Sequence, residues 1–182
     1  MERPREGWIL TYTGRRFWPL DPHPDDIDLV DIAHALSNLC RFTGHTSEFY
    51  SVAQHSYLVS VLCDKYPLYG LLHDASEAYL LDLATPIKHL PQLEEYRNAE
   101  RWLQGMILLQ FGIRDIEIPA EVKECDMAAG IIEGLSFMPE DSGAFWTVNG
   151  DMFKDRPKIV AWDPKVAEAR FMDRFDVLMT RE

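Results

Sequence analysis

Apolar positions along the chain recur mostly with a helical period. From Asp28 onward, Leu29, Ile32, Ala33, Leu36, Leu39 and Cys40 share one face, with early aspartates that suit the helix dipole. That helix is expected to end before Gly44. Val52, Leu58, Val59, Val61 and Leu62 mark a second helix over 51–66. Pro67 opens a third, which Tyr69, Leu71, Leu72, Ala75, Ala78, Leu80 and Leu81 carry to about residue 81. Pro86 interrupts the pattern over 82–88. A long helix over 93–111, charged in its first half and apolar in its second, stops at Gly112. Pro119 opens another through Val122, Met127, Ile131, Ile132 and Leu135. Residues 138–162 mix Pro, Gly, Asp and aromatics and read as irregular. Asp163-Pro164 then begins a last amphipathic helix to Met179. Ahead of all these, Trp8 to Tyr12 and Arg16 to Leu20 flank Thr13-Gly14 as a short hairpin, with Pro19 confining its second strand to an edge.

The pattern predicts one mainly α domain over residues 1–182. An N-terminal hairpin and loop (1–27) precede a helical core (28–136), and a loop and C-terminal helix (137–182) follow. With 47% hydrophobic and 26% charged residues, the composition is that of a soluble globular protein. No apolar run resembles a leader or a membrane span, so a cytoplasmic protein is expected. The three cysteines, Cys40, Cys63 and Cys125, are far apart and odd in number. They read as buried small hydrophobes in a reducing compartment. A net charge of -12 argues against nucleic acid as a partner, because a duplex needs a positive footprint. A small anionic ligand would need a metal or a few well-placed Arg and Lys side chains against that background.

Candidate chemistry centres on Leu71-Leu72-His73-Asp74-Ala75-Ser76-Glu77. On a helix, positions three and four apart share a face, so His73, Asp74 and Glu77 can converge on one small volume. Ionisable groups inside an apolar helix are costly unless something pairs them, and a divalent cation is one partner that does so. A lone His-Asp pair is more often a hydrogen-bonded pair than a metal site, but two further polar residues sit in apolar helices. His55 lies between Val52 and Leu58, and Asp126 beside Met127 and Ala128. Together they offer two nitrogens and at least two oxygens, a set that suits zinc, manganese, cobalt, nickel or iron better than calcium or magnesium. His34 falls on the apolar face of the first helix and reads as a hydrogen-bonded structural histidine.

The segments Tyr50-Ser51-Val52-Ala53-Gln54-His55-Ser56, His73-Asp74-Ala75-Ser76-Glu77, Asp82-Leu83-Ala84-Thr85-Pro86-Ile87-Lys88 and Val122-Lys123-Glu124-Cys125-Asp126 follow one another in a telling order. In that order and spacing, the chain resembles the HD-domain phosphohydrolases over roughly Ile32 to Leu135. Closest are the bacterial 5'-deoxynucleotidases and the phage dATP triphosphohydrolases. The resemblance implies an HD-domain helical bundle and metal ligands at His55, His73, Asp74 and Asp126. It implies an acid/base carboxylate at Glu77, a catalytic carboxylate at Asp82 near the sugar and phosphate, and a phosphate-meeting lysine at Lys88. Arg41-Phe42 lies where the deoxynucleotidases carry an Arg-Trp pair that grips phosphate and packs on deoxyribose. Arg41 keeps the charge, while Phe42 departs from the pattern and lacks the indole donor.

By this resemblance the substrate is a small deoxynucleotide and the cofactor a divalent transition metal (zinc, cobalt or manganese). The chain is expected to form a homo-oligomer. Hydrolysis of a dNTP to deoxynucleoside and triphosphate is the leading expectation, with dNMP hydrolysis as the alternative. The Glu-Asp pair of alarmone hydrolases and the Gly-Tyr-Pro signature of cyclic-dinucleotide phosphodiesterases are absent. A diiron oxygenase would need an extra ligand from His34, His45 or His89. A metal-stabilised nucleotide-binding module is the non-enzymatic alternative.

Overall fold

The computed structural model describes residues 7–139, 146 and 159–180. Most of the irregular stretch expected over 138–162 lies outside the described residues. The fold is mainly helical, with a small antiparallel hairpin.

Strands β1 (Ile9–Leu10) and β2 (Arg16–Phe17) pair Ile9 with Phe17 and Leu10 with Arg16. Asp31 fixes the turn between them: it is buried and accepts from the Thr13 amide at 2.7 Å and the Thr13 hydroxyl at 2.9 Å. Phe17 is fully buried and stacks on Tyr79 at 3.8 Å, which seats the hairpin on the helices. Arg15 pairs with Asp28 at 3.0 Å, and Arg16 lies over the Trp8 ring.

Helix α1 (Leu29–Asn38) starts at Asp28, whose carboxylate caps Val30 N–H. It stops earlier than its apolar period suggests, because residues 39–41 leave the helix to pair with 50–52. Val52 N–H donates to Leu39 C=O, and Arg41 N–H to Tyr50 C=O. That non-local pairing delivers the chain to Ser51, the cap of α2 (Val52–Leu62).

Helix α3 (Pro67–Leu72) packs closely on α2. A Cβ at Gly70 would lie 3.2 Å from the Ser60 backbone, so glycine sets this approach. The helix expected to run on to residue 81 is interrupted over 73–76 and resumes as the short α4 (Glu77–Leu80). One turn, α5 (Thr85–Lys88), follows, with Pro86 near its start. Helices α6 (Glu94–Gln110), α7 (Ala120–Phe137) and α8 (Pro164–Met179) match the expected segments within a few residues. Helix α8 buries Ala167, Phe171, Phe175 and Leu178 against α1, α2 and α3. The core thus holds α2 and α3 firmly, and α7 lies across both. Among the described residues, no helix is long and apolar enough to cross a membrane.

Candidate metal centre

Four of the expected site residues meet where α2, the turn after α3 and α7 come together. His55 Nε2 lies 3.2 Å from His73 Nε2, 3.4 Å from Asp74 Oδ2 and 3.2 Å from Asp126 Oδ1. His73 Nε2 lies 3.2 Å from Asp74 Oδ2 and 3.9 Å from Asp126 Oδ1. Both imidazoles are buried, and Asp126 is half-exposed.

The other ring nitrogens set the tautomers. His73 Nδ1 donates to the Gly70 carbonyl at 2.8 Å, since a carbonyl only accepts. His55 Nδ1 donates to Glu133 at 2.7 Å. In the neutral rings both Nε2 lone pairs therefore point at one spot that two carboxylate oxygens also face. Such a set repels itself unless a cation or a proton sits in the middle.

The spacing fits a cation. Ligands about 2.1 Å from a common ion stand about 3.0 Å apart at octahedral right angles and about 3.4 Å apart at tetrahedral ones. Four of the five contacts fall in that interval, and the His73–Asp126 edge is wider. His55, His73 and Asp126 form a group that could hold a metal ion, and Asp74 Oδ2 lies against both imidazoles beside it. Without an ion, burial and Arg41 pull His55 down, but Glu133, Asp126 and Asp74 outweigh them and hold it well above its ordinary value. Burial opposes the charges of Asp74 and Asp126, yet the imidazoles hold both carboxyls below theirs.

Glu133 was not foreseen. It is fully buried and accepts from His55, from Tyr50 Oη at 3.0 Å and from Arg41 Nη2 at 3.2 Å. Burial would raise its carboxyl, but His55 and Arg41 bring it down to about 2. Its signal in the sequence is faint: a carboxylate in an apolar stretch, seven residues beyond Asp126 and so on the same helix face.

The remaining expected residues surround this point. Arg41 has one edge on Glu133, while its Nε is buried with no partner. Burial opposes its charge, but Glu133, Asp74, Asp82 and Asp126 keep the guanidinium firmly protonated. It lies 5.6 Å over the Phe42 ring, which in turn meets Trp146 edge-on at 6.0 Å. Phe42 and Thr43 both adopt left-handed backbone, at φ 53° and 54°, so the turn after Arg41 is strained.

Glu77 is buried, and its Oε2 has no partner. Burial, with Asp74 and Asp82 adding to it, pushes this carboxyl up to about 10 against Lys88 and Arg41. Asp82 is half-buried and also raised, by burial first. Lys88 spans Glu100 at 2.5 Å and Glu77 at 3.8 Å. A cleft of about 520 Å³ is lined by residues that include His73, Asp74, Lys88, Glu100, Arg101 and Lys123. His34 bonds Glu168 at 3.0 Å and stacks on Tyr12, as a structural histidine should.

The chain is 36% identical to the uncharacterized protein YfdR of Escherichia coli K12 over 174 residues, spanning 94% of this chain and 95% of that protein. It is 36% identical over 138 residues to the uncharacterized protein RCAP_rcc00048 of Rhodobacter capsulatus, spanning 70% and 69%. No family model matches the sequence. The chain belongs to the family of YfdR.

Proposed function

We propose that this protein is an HD-domain phosphohydrolase that hydrolyses deoxynucleotides with a divalent transition metal. The observation that carries the reading is the pair of histidines, each pinned through Nδ1 so that its Nε2 faces the Asp74 and Asp126 oxygens. A carboxyl outside that set, Glu77, lies buried nearby with a free oxygen. A purely binding or structural centre has no use for such a group, whereas a hydrolase needs one.

His55, His73, Asp74 and Asp126 would hold the zinc, cobalt or manganese ion, which would supply Lewis acidity toward water and phosphate charge. The chain's own groups do the rest. Arg41 offers the guanidinium N–H groups that Glu133 leaves free, and so orients the α-phosphate. Water adds to phosphorus, the bond from phosphorus to O5′ breaks, and the departing O5′ takes a proton from an acid that the proton shed by the water restores. Glu77, which holds its proton at neutral pH, is the group to give it. Asp82, which interacts electrostatically with Arg41 and Lys88, is the carboxylate that the resemblance puts near the sugar and phosphate.

The same bond breaks in a dNTP and in a dNMP. The triphosphate reading is supported by the cleft, whose lining includes Lys88, Arg101 and Lys123, three cations that suit a longer phosphate chain. Incubating the metal-loaded protein with dNTPs, dNMPs and the matching ribonucleotides, then resolving products by chromatography, tests the proposal. Deoxynucleoside plus triphosphate is expected. Deoxynucleoside plus phosphate from monophosphates alone would make it a nucleotidase, and no product from any nucleotide, with metal bound, would refute the hydrolase.

A further inference from the structure

The interruption between α3 and α4 has an identifiable cause in Gln104 of α6. In a continuous helix the Leu72 carbonyl would accept from the Ser76 amide, four residues on. Here those two groups do not bond to each other. Gln104 Oε1 accepts from Ser76 N–H at 2.9 Å, and Gln104 Nε2 donates to the Leu72 carbonyl at 2.6 Å. A carbonyl only accepts and an amide N–H only donates, so the carboxamide has one possible orientation. It stands inside a helical hydrogen bond, as a splint between its two halves.

Around that splint the backbone tightens. Ala75 N–H bonds Leu72 C=O, Glu77 N–H bonds Asp74 C=O and Ala78 N–H bonds Ala75 C=O, all three residues apart. His73 and Ser76 have ψ near -28° and -25°, in the 3-10 range. The consequence falls on the dipeptide inside the turn. His73 Nε2 and Asp74 Oδ2 lie 3.2 Å apart there, and both face His55 Nε2.

We infer that Gln104 is a positioning residue for the metal centre: its carboxamide splits the Leu72–Ser76 bond and holds the turn on which His73 and Asp74 face the same ion. The inference rests on the metal reading. Both hydrogen bonds of the Gln104 carboxamide go to backbone groups, so it acts on the ligands through the backbone.

This role makes an uncommon demand on a variant. With the carboxamide gone, Leu72 C=O and Ser76 N–H can bond each other and the helix can close. Stability then holds while the centre is lost, whereas a merely structural glutamine would behave in the opposite way. The test is cobalt(II) titration of the full chain, read by the visible d–d absorption, beside a thermal melt. His55→Ala serves as the ligand control. Wild type is expected to bind cobalt and His55→Ala to lose it. Gln104→Met should bind about 10–100-fold more weakly, as removal of an orienting partner does. Its absorption band should be altered, and its Tm should stay within a few degrees of wild type.

Cobalt binding with unchanged affinity and band in Gln104→Met would overturn the inference and leave the metal reading intact. Absence of cobalt binding in wild type itself would overturn both. If Gln104→Met does not fold, Gln104→Glu decides. It keeps the acceptor for Ser76 but cannot donate to Leu72, so a wild-type band and affinity there would equally overturn the inference.

Discussion

Replacing Glu133 by glutamine probes the link between the buried arginine and the candidate metal centre. The carboxylate uses Oε1 for His55 and Tyr50, and Oε2 for Arg41. A glutamine of the same shape must turn its NH₂ toward one of these donors. Facing Arg41, it sets N–H against N–H at about the present 3.2 Å and leaves a buried guanidinium uncompensated. Breaking one side of a buried ion pair costs about 3–5 kcal/mol. The titration behaviour of Glu133 gives a second route to the number. Its fall from 4.5 to about 2 corresponds to about 3 kcal/mol, at ~1.4 kcal/mol per pH unit. The two routes agree.

For a chain of this length, about 3 kcal/mol lowers Tm by about 6–12 °C. Because the folded-state value lies below the unfolded one, this contribution is present above about pH 4.5 and disappears as pH falls toward 2. The gap in Tm between wild type and Glu133→Gln should therefore be widest near neutral pH and shrink on acidification. The assay is a set of thermal melts across pH, with and without zinc. Metal affinity should fall about 10–100-fold as His55 exchanges a charged orienting acceptor for a neutral amide oxygen. A neutral-pH melt within about 2 °C of wild type, together with unaltered zinc affinity, would refute the reasoning.

Two further outcomes are expected. Since His55 is held well above its ordinary value in the metal-free protein, it carries a proton near neutral pH, and metal must displace it. Calorimetric zinc titrations in buffers of different ionisation enthalpy should show about one proton released per ion and affinity falling as pH drops; an enthalpy independent of buffer would contradict this. Glu77→Gln keeps the size of the side chain but removes the transferable proton. Its turnover of the substrate found in the nucleotide panel should drop by about 10²–10⁴ with substrate binding retained, and near-wild-type turnover would exclude Glu77 as the acid.

The sequence disclosed the centre unevenly, and the reason is the range over which each contact acts. His55, His73, Asp74 and Asp126 were legible because each is a polar residue in an apolar helix, and the structure brings all four together. Glu133 escaped notice because its partners Tyr50 and Arg41 lie 83 and 92 residues away, and nothing local announces them. The interruption at 73–76 was hidden for a related reason. The apolar period runs through it unchanged, and the glutamine that opens it sits in another helix. The early end of α1 likewise depends on pairing between residues 39–41 and 50–52, which no window of the sequence contains. Helices whose ends are set by their own caps, such as α1 at Asp28 and α8 at Asp163, were placed correctly at those ends.

The left-handed pair Phe42-Thr43 carries a consequence for the arm that bears Arg41. An ordinary residue in that conformation costs about 1–2 kcal/mol, and a β-branched threonine is among the least suited to it. Glycines would make the same bend without strain, but they would also let the chain wander through many others. Bulky residues leave few alternatives, and the pairing of Arg41 with Tyr50 on one side and Gly44 on the other clamps the loaded turn in place. The arm therefore works as a tensioned spring with a single rest position. The guanidinium is aimed in advance, so on the proposed role an anion would meet it without freezing a moving side chain.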